Sequence, residues 1–308
     1  MNHSPLVARR PALVVPAAGT PALTTVGTRL GRPLMTWHPA WVPVLEAFAA
    51  ADPPQPRWES LEWYRNESFG APPDETVDLD ALPADVAAAV RAMGASLWQV
   101  RVVPDGGLAH LTGMTQPVGR HISALLAALK GAVVEASAHH TTGMKAPIGM
   151  GSGSEDGSFP LHADIFPGRY LLNVFHQPAP DQQGASLLMS VAEWGELAAV
   201  AFGPEWAARS LRLVRREVPW DMEAYEEVFG YHDRPDDSGL IAASDAAATR
   251  ILYGPGEGYL VDDAEWLHGR TVVRKSEHTY DRVHRLTFDT AGSFAQRMAL
   301  EDRPENTA

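Results

Sequence analysis

The 308-residue sequence has no cysteine, which excludes disulfides, zinc–thiolate centres and iron–sulfur clusters and agrees with a cytoplasmic location. Basic residues are scarce: 25 Lys and Arg stand against 38 Asp and Glu, a formal net charge of −13. Such a surface repels phosphate backbones before any local contact forms, so nucleic acid is not an expected partner, although a local basic pocket can still hold a small anion. Long apolar runs are also missing. The opening MNHSPLVARRPALVVPAAG has two arginines ahead of an apolar stretch that is short and broken by prolines, which fits neither a signal peptide nor a membrane span. No internal repeat or long low-complexity tract is present.

What the chain does have is 45% hydrophobic residues together with 26 Gly and 25 Pro, the composition of a globular, turn-rich protein with a substantial core. One elaborated domain over 1–308 is expected rather than two, because barrels and sandwiches often run long. Residues 1–35 read as irregular, since Pro, Thr and Gly recur too closely for a long element. Helices are predicted over 41–50, ended by Asp52-Pro53-Pro54, over 83–93, ended by Gly94, and over 120–130 and 191–202. Strands are predicted over 97–103, 131–138, 170–176, 186–189, 211–218, 248–253, 258–262, 266–273 and 282–289. Residues 219–247 form a variable segment rich in acids and aromatics. Many short strands with Gly and Pro turns suggest a mainly β protein with flanking helices, a double-stranded β-helix (jelly roll), with 1–95 as an N-terminal elaboration and 219–247 as an insert near the site.

Chemistry concentrates at two places. His162-Ala163-Asp164 reads as part of a strand, where positions i and i+2 project to the same side, so imidazole and carboxylate can converge on one ion. With 12 His and 38 acids, about 1.5 such pairs arise by chance, so the pair needs company. The second place is EWLHGRTVVRKSEHTYDRVHRLTF, from Glu265 to Phe288, which offers His268 as a third ligand on a distant strand. Two histidines and one carboxylate on one face of an octahedral ion leave the opposite face open for a chelating oxo-acid and dioxygen.

Leu267-His268-Gly269-Arg270-Thr271, followed by Asp281-Arg282, resembles the second half of the iron(II)/2-oxoglutarate-dependent oxygenases of the taurine dioxygenase and clavaminate synthase-like group. The resemblance covers roughly residues 155–290 and is specific at the two motifs. It implies Fe(II) held by His162, Asp164 and His268, and 2-oxoglutarate anchored by an arginine on the following strand. Arg282, fourteen residues after His268, matches that position, with Arg285 in reserve. A planar guanidinium suits a carboxylate because it offers parallel donors and stays charged. Ser186 matches a position whose hydroxyl bonds the same carboxylate, and it could equally be part of a turn leading into a strand. The implied activity is hydroxylation of an unactivated C–H bond in a small polar metabolite, such as an amino acid or biosynthetic intermediate. Dioxygen is the co-substrate, and a carboxylate at 164 favours oxygen transfer over halogenation.

Asn173 and Arg270 are candidate substrate contacts; an ordinary strand amide and a second partner for a ligand are the plainer readings. His139 and His140 are adjacent and cannot face one metal together from a strand, while His176, His278 and His284 read as surface or core-edge groups. Gly149-x-Gly151-x-Gly153 has the wrong spacing for a dinucleotide-binding turn, and Glu155 and Asp156 stand where a phosphate would need amides. The segment 141–158 reads instead as a flexible edge of the active site or, equally, as a plain surface loop. A jelly-roll metal- or ligand-binding protein without turnover, and a zinc hydrolase, use parts of the same residue set; neither needs an arginine placed after His268.

Overall fold

The first strands come from a stretch whose composition hides them. In this computed structural model, which describes residues 13–54, 77–97, 106–130, 136–141, 158–164, 169–179, 182–219, 221–233, 238–272 and 283–288, β1 (Leu23–Arg29) and β2 (Arg32–Trp37) form an antiparallel hairpin. The expectation of irregular structure through residue 35 is therefore wrong. Leu30 and Gly31 turn the chain at φ +51° and +73°, the two-residue mirror-image turn whose twist matches paired strands, and the Thr-rich flanks suit a pleated surface.

A 3-10 turn, Pro39–Trp41, leads into α1 (Val42–Ala50), which stops before Pro53 as expected. Helix α2 (Ala84–Leu97) runs through Gly94 instead of ending there. Met93, Gly94 and Leu97 are all buried in that helix, so packing overrides the weak helix preference of glycine. Leu97 is thus helical, and the remainder of the strand predicted over 97–103 lies outside the described residues. There follow β3 (Leu108–Leu111), α3 (Ile122–Lys130), β4 (Ala136–Thr141), β5 (Phe159–His162), β6 (Tyr170–Phe175) and β7 (Ser186–Ser190).

Helix α4 (Val191–Phe202) has the predicted bounds. Ser190 accepts from the Glu193 N–H while the Glu193 carboxylate accepts from the Ser190 N–H, a reciprocal cap that fixes the first turn. The strand predicted over 211–218 is a misreading. Its first half is the end of α5 (Pro204–Val214), which Pro204 starts and in which Ala207, Ser210, Leu213 and Val214 are buried at helical spacing. Four residues of alternation mimicked a strand; eleven residues of context show period 3.6. The variable segment contains α6 (Met222–Phe229), a 3-10 turn (Gly230–Asp233) and α7 (Leu240–Ala247). Strands β8 (Thr249–Ile251), β9 (Gly258–Asp262), β10 (Trp266–Arg270) and β11 (Val283–Phe288) complete the elements of the described residues.

The architecture is mixed helix and sheet. One seven-stranded sheet has the order β1-β2-β3-β9-β6-β11-β4, and one four-stranded sheet has β5-β10-β7-β8. Three apolar layers result. Helices α1, α2 and α3 pack on the outer face of the larger sheet, through Leu172, Val174, Leu260 and Leu286. Helices α4 to α7 cover the outer face of the smaller sheet, through Leu161, Leu187, Met189 and Leu267. Between the sheets lie Leu171, Phe175, Leu188, Tyr253, Tyr259 and Val261. Because residues alternate faces along a strand, His162 and His268 are turned away from the outer helices and into that middle layer.

Candidate active site

Strands β5 and β10 are antiparallel neighbours, and their register sets His268 directly opposite His162 although 105 other residues separate them in the chain. Asp164 lies just beyond the last residue of β5, not inside the strand as its spacing suggested. The three residues each bring one donor atom into a group whose members lie within 4.8 Å of one another, and all three are buried. Asp164 Oδ1 is 3.3 Å from His162 Nε2 and 3.5 Å from His268 Nε2, and the two imidazole centroids are 4.3 Å apart.

Gly269 makes this approach possible. A Cβ there would sit 2.7 Å from the Phe159 carbonyl oxygen and 3.1 Å from the Leu161 nitrogen, so any side chain would force β10 away from β5.

The hydrogen bonds around the cluster settle which atoms face inward. His162 Nδ1 lies 2.9 Å from the Pro160 carbonyl, an acceptor, so that nitrogen carries the proton and donates it. His268 Nδ1 donates in the same way to Asp263 Oδ1 at 3.1 Å. Each ring therefore turns Nε2 toward Asp164 Oδ1. The Nε2 atom of His268 is buried and, beyond its 3.5 Å approach to Asp164 Oδ1, has no hydrogen-bond partner among the described residues. Burial, then the neighbouring His268, lowers the His162 pKa to about 4, so its Nε2 presents a lone pair. Burial also works against ionising Asp164, but Arg285 and the two histidines outweigh it and hold the carboxyl well below its usual range. His268 is displaced the other way: burial opposes its charge, and Asp164 with Asp263 raises it overall.

The Asp164 oxygen and the two imidazole nitrogens converge on one point, an arrangement that a divalent ion can bridge. Donors bound at right angles about 2.1 Å from one ion stand about 3 Å apart, close to the observed separations. The donor set, two imidazoles and one carboxylate, suits a first-row divalent metal, which would take the place of a proton on His268, and leaves further coordination positions open.

Arg285 stands behind the carboxylate. Its Nη1 donates to Asp164 Oδ2 in a very short contact, and its Nε donates to Asn173 Oδ1 at 2.9 Å. Asn173 faces Arg285 across the β6–β11 pair and is fully buried, and its Nδ2 has no hydrogen-bond partner among the described residues. Tyr259, paired with Asn173 from β9, completes this wall; burial pushes its hydroxyl up to about 12. Ser186 is buried at the start of β7, two residues along the inner face from Leu188, the partner of His268. Arg270 ends β10 opposite Ser186. Arg282 lies outside the described residues, as do His278 and residues 142–157 of the loop 141–158. His139 and His140 fall on β4, and His176 stacks on His284 with centroids 4.0 Å apart.

Two neighbours of the site were not anticipated. Asp263 Oδ2 accepts the Asp164 N–H at 2.6 Å, and Arg216 Nη2 donates to the Asp164 carbonyl at 3.2 Å. A carboxylate five residues before His268 was visible in the sequence, whereas nothing local marks Arg216. The segment 219–247 covers the smaller sheet, and its His232 lies near enough to His162 to respond to its charge: burial, then His162, lowers the His232 pKa to about 3.

No family model matches this chain, and no curated protein matches it. Among solved structures it is similar to asparagine oxygenase in complex with Fe(II), 2S,3S-3-hydroxyasparagine and succinate, at 13% identity over 88% of this chain and 97% of that one, with a TM-score of 0.47. It is also similar to the non-heme iron oxygenase OrfP in complex with Fe, succinate and (3S)-hydroxy-L-Arg, at 12% identity over 86% and 96% of the two chains, with a TM-score of 0.40. The same enzyme in complex with Fe and alpha-ketoglutaric acid gives 12% identity, 87% and 96% coverage and a TM-score of 0.39. At such identities the function has to be argued from the side chains.

Proposed function

We propose that this protein is an iron(II)- and 2-oxoglutarate-dependent oxygenase on a jelly-roll scaffold, hydroxylating an unactivated C–H bond of a small polar metabolite such as an amino acid. One observation carries the reading: the His162, Asp164 and His268 donor atoms, buried within 4.8 Å of one another, with the Arg285 guanidinium on the second oxygen of Asp164. A jelly roll is supported by the strand order, in which β4 to β11 divide between two sheets as β9-β6-β11-β4 and β5-β10-β7-β8. The domain reading keeps 1–308 as one unit, with 1–95 as an elaboration and 219–247 as an insert beside the site. No described helix is long and apolar enough to cross a membrane; we place the enzyme in the cytoplasm.

His162, Asp164 and His268 would hold the iron. When bound, iron(II) with 2-oxoglutarate and dioxygen supplies the oxidising power, the oxo-acid leaving as succinate and carbon dioxide. The chain's own task is to bind, orient and keep the site dry. Arg285 is the anchor for the far carboxylate of 2-oxoglutarate: it projects from β11 into the middle layer and is held in plane by Asn173. Arg282, the first choice for this anchor by its spacing from His268, stays proposed for it beside Arg285. Ser186 would add a hydroxyl to the same carboxylate. Asn173 Nδ2, a buried donor in need of an acceptor, and Arg270 are the substrate contacts. Phe175, Tyr253 and Tyr259 exclude water from the space behind them.

The test is anaerobic addition of iron(II) and 2-oxoglutarate to the metal-free protein. A visible charge-transfer band, followed by succinate formation on admitting air, is expected. Stoichiometric zinc with no such band would instead favour a hydrolase and remove the oxygenase reading.

A further inference from the structure

We propose that Asp263 and Arg216 are a positioning pair that selects the nitrogen of His268 presented to the metal site and clamps the main chain of Asp164. The inference rests on the metal reading above and adds the residues that prearrange the donor set.

Asp263 follows β9 directly and is inaccessible to solvent. Its two oxygens serve different elements. Oδ1 accepts from His268 Nδ1, and with that nitrogen protonated the opposite one is left to face Asp164. Oδ2 accepts the Asp164 N–H. Arg216, two residues beyond α5, reaches the same point from the outer helical layer, with Nη2 at 3.2 Å from the Asp164 carbonyl and 3.5 Å from Asp263 Oδ2. Both peptide polar groups of Asp164 are therefore held by this pair, and one carboxylate spans two of the three proposed ligands. Arg216 adopts φ +58°, a left-handed conformation uncommon for a residue with a long side chain and kept where surroundings over-determine it. Since both Asp263 oxygens are engaged by donors, Asp263 acts through its neighbours and not as a ligand. Among the described residues His162 Nδ1 has the neutral Pro160 carbonyl behind it, so the two imidazoles differ in what fixes them. A carboxylate behind a ligating imidazole fixes its orientation and strengthens it as a donor. The adjacent Asp262 does a separate job, taking the guanidinium of Arg169 at 2.7 and 2.8 Å.

The experiment is an anaerobic cobalt(II) titration of the full-length protein, with proton NMR of the cobalt form to observe exchangeable imidazole N–H signals. In Asp263→Asn one oxygen must replace two acceptors and an amide N–H meets a donor. Cobalt affinity is expected to fall about 10–100-fold, with one of the two hyperfine-shifted N–H signals displaced. Arg169→Gln, which breaks the neighbouring ion pair, is expected to lower the melting temperature while leaving cobalt affinity within about twofold of wild type. Wild-type affinity and unmoved signals in Asp263→Asn would overturn the proposal while leaving the metal reading intact. A wild-type chain that takes up neither cobalt(II) nor iron(II) would overturn the metal reading itself. Should Asp263→Asn fail to fold, Arg216→Gln is read in the same way, with a fall of about 3–10-fold expected and unchanged affinity counting against the pair.

Discussion

Replacing Arg285 by glutamine separates the two tasks assigned to that residue. In the metal-free chain the guanidinium is the counter-charge of Asp164, with side chains only 12% and 7% exposed. Unit charges about 4 Å apart at an effective dielectric of 20 interact by about 4 kcal/mol, and stranding one member of a buried pair costs about 3–5 kcal/mol, so the two estimates agree. The metal-free Arg285→Gln protein should melt roughly 6–15 °C below wild type. A divalent ion supplies the missing positive charge, so manganese(II) should raise the melting temperature of the variant by more than it raises that of wild type. Its apparent KM for 2-oxoglutarate, measured by succinate release, should rise about 10–100-fold because a charge-assisted contact worth about 1.5–3 kcal/mol is lost. Calorimetry under nitrogen and a coupled succinate assay give both numbers. Melting within about 2 °C of wild type, with an unchanged requirement for 2-oxoglutarate, would refute both roles.

Three further outcomes are expected. Single substitutions His162→Ala, Asp164→Ala and His268→Ala should each lower iron affinity by at least about 100-fold, measured by metal analysis after desalting, because a ligand is worth more than its supporting partner. Gly269→Ala, which alters no donor, should cost about 1–3 kcal/mol in stability and weaken metal binding as β10 is pushed off β5; wild-type affinity would remove the close-approach argument. His110 titrates at about 4 in the folded chain, held down by burial and then by Arg29 and Arg32, against an ordinary value of 6.5. The folded chain binds that proton less readily than the unfolded one, so the stability it confers is complete above pH 6.5, declines as pH falls and is gone below about 4. The loss approaches about 3 kcal/mol, and the wild-type melting curve should converge on that of His110→Gln across this interval.

Some elements follow from near neighbours in sequence. The start of α4 is written in Ser190 and Glu193 and its end in Gly203, and β9 in a short apolar run between turns. Where two local patterns compete, sequence reading fails. Residues 211–214 alternate like a strand yet end a helix, because the burial of Ser210 and Ala207 one and two turns before Val214 decides the period. The hairpin at 23–37 was masked by residues that count as loop formers one at a time, while their order, β-prone flanks around Leu30-Gly31, specifies a turn between strands. Gly94 is a helix terminator only when exposed, and α2 buries it.

The site divides in the same way. His162-x-Asp164 and Leu-His-Gly-Arg around His268 are legible because a chelating pair and a close-packed glycine each need residues within a few positions of one another. By itself the sequence determined the chemical kinds available: imidazole, carboxylate and guanidinium, with no thiol. Tertiary structure alone decided which of many such groups meet. The pairing of β5 with β10 sets His268 opposite His162, the β6–β11 register delivers Arg285 and Asn173 together, and Arg216 arrives from a helix layer with no local signal. Those choices depend on strand order and on the inward or outward turn of each residue, properties that arise only when separate segments bury their apolar faces against one another.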